Sequence, residues 1–209
     1  MSTLAALKSE IADDIIRSDL TSQIANAITA AIKHWQQTPY LFNDERVTFS
    51  TVAAQSDYTS SDDADIGRLV KIHSSFESDG TNTSNLDRVN ADHMEYLLDG
   101  SAANGEPYQY SYFAEKIRLY PKPDKAYTII LNARTVAAAP TSDVETGNPW
   151  MEEGYPLIRA WAKRELGLHI TNDPELVSRM EIAAGQAQSF LEERYNRLNS
   201  TGYLEHTEF

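Results

Sequence analysis

Cysteine is missing from all 209 residues, and that one absence removes disulfides, thiolate metal sites and thiol nucleophiles together. Basic residues are scarce: 18 Lys and Arg face 31 Asp and Glu, a formal net charge of -13. A surface built to grip nucleic acid needs clustered Lys and Arg, so the balance argues against one. It leaves room for a surface past which DNA slides without sticking, because salt screens like-charge repulsion. Long apolar runs are missing too, and none approaches the roughly 20 residues that span a bilayer. Met1-Ser2-Thr3-Leu4 has no basic stretch leading into an apolar one, so no signal peptide is expected. The expectation is a soluble protein made in the cytoplasm, with no membrane partner and with Asn82-Thr83-Ser84 and Asn199-Ser200-Thr201 as chance sequons.

What is present is enough apolar material, 41% of the chain, to build a core. Leu4, Leu7, Ile11 and Ile15 recur at helical spacing. After a break at Ser18-Asp19, Ile24, Ala27, Ile28, Ala31, Ile32 and Trp35 form a second stripe. This predicts an antiparallel helix pair over 1–45. Between 46 and 136 the period shortens, with alternating runs at Arg46–Val52, Leu69–His73, Tyr108–Tyr112, Lys116–Tyr120 and Tyr127–Leu131. Pro121-Lys122-Pro123-Asp124 predicts a hairpin turn between the last two runs. Residues 86–98 read as a short helix. Helical spacing returns from 149, with Asn148 as cap and Pro149 in the first turn. Asn172-Asp173-Pro174 is a stop and a fresh start, and the last helix runs to about 198. The segregated blocks predict an α+β fold: a bundle of four longer helices, an inserted antiparallel β region of hairpins, and an extended C-terminal arm over 199–209, all one domain.

Candidate chemistry is thin. His34, His73, His93, His169 and His206 lack metal-ligand spacing, and no H-E-x-x-H, nucleophile elbow or P-loop occurs. Glu152-Glu153 and Glu192-Glu193 are neighbours on helices, where side chains diverge by about 100°, so they read as solvated faces. Asp62, Asp63 and Asp65 invite a calcium reading, but Gly67 falls where the loop pattern wants another ligand. The sequence offers no catalytic residue, no cofactor site and no metal site. Tyr108, Tyr110 and Tyr112 share one strand face, with Tyr120 and Tyr127 beside the Pro-Asp turn. That face is an ordinary half-buried sheet surface or a protein interface, where Tyr gives contact area at little entropy cost. Base stacking ranks below both, because Glu115 and Asp124 dilute the nearby Lys and Arg. Tyr203, Leu204 and Phe209 in the last residues form a frayed end or an arm that orders on a partner. In the second case each buried side chain contributes about 1.5–3 kcal/mol before ordering costs.

Several ordered segments resemble a known family. They are Leu20–Ile28, Phe49–Ala53, Asp62–Ile66, Ile117–Asp124 with Tyr127-Thr128, and the Trp150–Arg164 stretch. Together, over roughly residues 3–197, they resemble the adaptor or head-to-tail connector proteins of tailed bacteriophages, typified by the tail accessory factor of short-tailed phages. The resemblance implies a structural protein, not an enzyme, that forms a dodecameric ring under the portal vertex after DNA packaging. Its implied partners are the portal protein, a tail nozzle or hub protein and sister copies, with double-stranded DNA passing through the channel unbound. It implies residence in the neck of the virion, after a stay in the host cytoplasm during assembly. Another neck or tail protein, such as a stopper, and a virion-associated cell-wall hydrolase remain alternatives.

Overall fold

The structure is a computed structural model and describes residues 2–36, 38, 40–99 and 104–199. The chain divides into two compact units, Met1–Phe42 with Ala137–Phe209, and Asn43–Val136.

The first unit is helical. Helix α1 (Leu4–Asp14) starts on Thr3, whose hydroxyl accepts the Ala6 amide hydrogen at 3.2 Å. Helix α2 (Thr21–Trp35) buries the stripe from Ile24 to Trp35. The short α4 (Pro149–Glu152) is capped by Asn148, whose side chain accepts from Trp150 N at 3.1 Å. The helical pattern breaks at Gly154, where only glycine fits, since a Cβ there would lie 2.9 Å from the Trp150 ring. Helix α5 (Tyr155–Leu166) then runs into a π turn over Gly167–Thr171. Asn172 in left-handed conformation (φ 49°) ends the turn. Asp173 opens α6 (Pro174–Asn199), its carboxylate accepting from Glu175 N and Leu176 N at 3.1 and 3.0 Å. Trp150 sits fully buried in this core, and its indole N–H donates to Ala137 O at 3.0 Å. Leu7, Ile11, Ile24, Ile28 and Ile158 pack in the same cluster.

The second unit holds two four-stranded sheets around one core. The first has the order β1 (Asp44–Ser50), β8 (Thr128–Thr135), β3 (Leu69–Ser78), β4 (Thr83–Asn85). The second has the order β2 (Asp57–Tyr58), β7 (Lys116–Tyr120), β6 (Gln109–Phe113), β5 (Asp87–Arg88). Pairing is antiparallel throughout, except between β5 and β6. Alternate residues of both sheets, among them Val47, Phe49, Ile117, Leu119, Ile129 and Leu131, share one buried cluster. Tyr58 closes it, its hydroxyl donating to Gln55 O at 3.0 Å and accepting from Val52 N at 3.0 Å. Helix α3 (Ala91–Leu98) starts on Asn90, not at 86.

This overturns the expected architecture of a four-helix bundle with inserted hairpins. Among the described residues there are six α-helices and eight strands, and the strands are not projections from a bundle. The physical reason is the amount of alternating apolar side chain between 47 and 133, which only two opposed sheets can hide. The expected Lys116–Leu131 hairpin fails as well. Strand β7 pairs with β2 and β6, β8 pairs with β1 and β3, and Pro121–Tyr127 crosses from one sheet to the other. The tight hairpin is instead β6–β7, turning on Ala114 (φ 51°) and Glu115 (φ 57°).

Two positive φ angles in a two-residue loop suit the twist of a hairpin, but they cost a residue with a Cβ about 1–2 kcal/mol each. Replacing Ala114 and Glu115 by Asn and Gly should therefore stabilise the protein by about 1 kcal/mol and raise its melting temperature by several degrees. A melting temperature that stays put or falls would show that the loop is not strained.

Candidate protein-interaction surface

The tyrosine ladder separates into buried and exposed members. On β6, Tyr110 is 2% exposed and belongs to the core. Tyr112 is half-buried, with its hydroxyl 3.2 and 3.1 Å from the carbonyl oxygens of Ile66 and Leu69. Burial pushes its phenol up, and the Glu115 charge adds to this. Tyr108 is 51% exposed, set edge-on against Tyr120 with ring centroids 5.9 Å apart. At the other end of the hairpin, beside the turn, Phe113 is 68% exposed, and α3 of the same unit presents Tyr96, 79% exposed. The outward aromatic set is thus Tyr108, Tyr120, Phe113 and Tyr96. Pattern alone did not single out the last two, since one lies at a hairpin tip and one on a short helix. Tyr203, Leu204 and Phe209 lie outside the described residues.

Three of the basic residues near this surface, Lys116, Arg118 and Lys125, are occupied. Asp57 accepts from Lys116 at 3.1 Å and from Arg118 at 3.3 Å, and Arg118 also pairs with Glu95. Partial burial pushes the Asp57 carboxyl up, but the hydrogen bonds from Lys116 and Ser56 and the two cations hold it below its usual value. Lys125 lies over the Tyr127 ring, 5.1 Å from its centroid. Cations already matched by acids and rings suit a protein contact better than a platform for stacked bases.

The other candidates have structural partners. Asp62 accepts from Thr59 N at 2.8 Å and Gln55 at 2.8 Å, Asp63 caps a 3-10 turn through Asp65 N, and Asp65 pairs with Arg68 at 2.7 Å. These carboxylates close a loop onto itself. Glu153 pairs with Arg194 at 3.0 Å, and Glu193 with Arg197 at 2.7 Å. His34 stacks on Trp161 at 4.3 Å. Among the described residues no three His, Cys, Asp or Glu converge as a metal would need, and no helix is long and apolar enough to cross a membrane.

The sequence model of the SU10 adaptor protein family matches residues 2–205. The chain belongs to that family. No curated protein matches it significantly. As an SU10-type adaptor it is a structural bacteriophage protein and a component of the virion.

One buried acid in this adaptor escaped the sequence reading. Glu77 lies on β3 opposite Ser84 and Ile129, 1% exposed, and its Oε2 accepts no hydrogen bond. Burial pushes its carboxyl up to about 7, and the neighbouring Glu106 and Asp79 act in the same direction, with Ser84 opposing. A lone Glu amid Ser and Asp gives no signal in sequence. The folded state holds the proton more tightly than the unfolded chain, whose value is 4.5. The proton's contribution is therefore complete below the unfolded value and lost as pH rises through about 7. The adaptor should lose on the order of 1–3 kcal/mol between about pH 5 and about pH 8 from this group. Thermal melts of Glu77→Gln should show that part of the slope gone, and a variant with the wild-type slope would remove Glu77 from the account.

Proposed function

We propose that this adaptor forms a ring, a dodecamer, between the portal vertex and the tail, where it extends the DNA channel and docks tail components. The observation that carries the reading is the family match over residues 2–205. The exposed aromatic set and the acidic charge support it.

Closing a ring needs a heterologous contact, in which two different faces of one copy meet. On this reading Tyr108 and Tyr120 supply the contact area at one end of the β6–β7 hairpin and Phe113 at its turn end, and Tyr110 and Tyr112 fix their strand from beneath. Tyr203, Leu204 and Phe209 order on a sister copy or on the portal. The two units serve together as one adaptor domain over residues 1–209. A charge of -13 on each copy gives a channel wall along which DNA moves with few contacts, so no cofactor and no specific DNA site is needed. The same charge keeps free copies apart, so the chain stays monomeric until a portal ring templates it and is made in the host cytoplasm before joining the neck of the virion.

Light scattering of the free chain should give the monomer mass, and sedimentation after mixing with a purified portal ring should give one discrete larger complex. Tyr108→Ala should weaken that complex about tenfold, or about 1.4 kcal/mol, and so should deletion of residues 203–209. Stable rings without portal would refute templating, and undiminished co-sedimentation of both variants would clear these residues of any interface role.

A further inference from the structure

Strand β1 is the outer strand of its sheet and is seven residues long. The other outer strands, β4, β2 and β5, have three, two and two residues. Short outer strands protect a sheet from foreign pairing, and β1 lacks that protection. The ladder shows which of its groups are open. Thr51 N–H donates at 2.8 Å to Tyr127 O, directly across in the continued register. An antiparallel ladder bonds every second residue, so Val47 and Phe49 bond to β8 while Arg46, Thr48 and Ser50 turn N–H and C=O to the free side. All three are exposed. Asp44 and Glu45 are engaged by Arg134 and Arg68, whereas Arg46 makes no ion pair among the described residues.

We infer that β1 is extended by one further antiparallel or parallel strand, and that the strand is residues 203–209 of a second copy of this chain. These seven residues equal β1 in length and contain no Lys, Arg, Pro or Gly. In extended form they alternate, Tyr203, Glu205, Thr207 and Phe209 on one side and Leu204, His206 and Glu208 on the other. Tyr, Thr and Phe suit a strand, and each side carries one glutamate, so whichever side lies with Arg46 brings an acid to complement it. Main-chain bonds to Arg46, Thr48 and Ser50 provide the attachment, in the manner of strand addition. An edge on one copy and an arm on the next make a head-to-tail contact. The choice of a sister copy as donor rests on the ring reading above; the open edge does not.

The absence of cysteine makes the test clean. Full-length Ser50→Cys and Thr207→Cys chains are mixed and treated with a short bismaleimide, both free at high concentration and in the complex with portal, with Thr81→Cys as the control for Ser50→Cys. The expected result is a cross-linked heterodimer of the first pair and none with the control. Thr48→Pro leaves the β8 ladder intact, because the lost N–H faces outward, and should cut the heterodimer yield at least about fivefold. Arg46→Glu should cut it too and serves if the proline variant melts early. No heterodimer in either setting overturns the inference. So does a cross-link found only within single chains carrying both cysteines. A portal complex that forms without the cross-link spares the ring reading, and a cross-link without any portal complex spares the edge.

Discussion

Strand β8 is paired on both sides, over Thr128–Arg134 by Asp44–Ser50 of β1 and over Thr128–Thr135 by Leu69–Ser78 of β3. Its inward residues Ile129, Leu131 and Ala133 are between 0 and 2% exposed. A slip of one residue would turn all three to the outer face. Each large aliphatic side chain so lost is worth about 1.5–3 kcal/mol, against about 0.5–1.5 for a single backbone hydrogen bond. Apolar burial therefore fixes the register, and the polar groups follow it. Arg134 meets Asp44 at 3.1 Å and Thr135 meets Glu45 at 3.0 Å only because β1 and β8 are aligned in this register. The β6–β7 pair then covers the inward face of β8, and the exposed aromatics at its margin are positioned as a consequence.

The parts of the chain that could be read in advance are those where one period persists. The α2 stripe runs unbroken from Ile24 to Trp35, and caps such as Asn148 and Asp173 carry a chemical signature. Strands of two or three residues, Asp57–Tyr58, Thr83–Asn85 and Asp87–Arg88, are too short to show any period. The Ala114-Glu115 turn lacks the Asn-Gly chemistry that announces a hairpin, whereas Pro121–Asp124 shows turn chemistry without being one. Alternation placed three tyrosines on a common face, but depth varies along a face: Tyr110 lies beneath the opposite sheet and Tyr108 stands at its margin. Period tells direction and says nothing of distance from the edge.

Charge is distributed with a similar division. Asp14 takes Arg159 at 2.7 Å and Lys163 at 3.0 Å, and Arg164 takes Glu165 and Glu181. Such half-exposed pairs each add little to stability, typically 0–1 kcal/mol. Their effect is on what remains: with 31 acids to 18 bases, local pairing consumes cations and leaves the unmatched charge negative. Arg46 is an exception to that rule on β1.

Helix α6, at 26 residues, extends about 39 Å, while its neighbour α5, at 12 residues, covers about 18 Å. Past Leu191 one tie to the rest of the unit remains in the Arg194–Glu153 pair at 3.0 Å, and the helix's own side chains add Gln188 bonding Glu192 at 2.7 Å and Arg197 bonding Glu193 at 2.7 Å, each one turn apart. Bonds of that kind are each worth only a few tenths of a kcal/mol. The turn past Arg194 is therefore the part of α6 that unwinds most cheaply, a tether whose reach can lengthen without disturbing the Trp150 core.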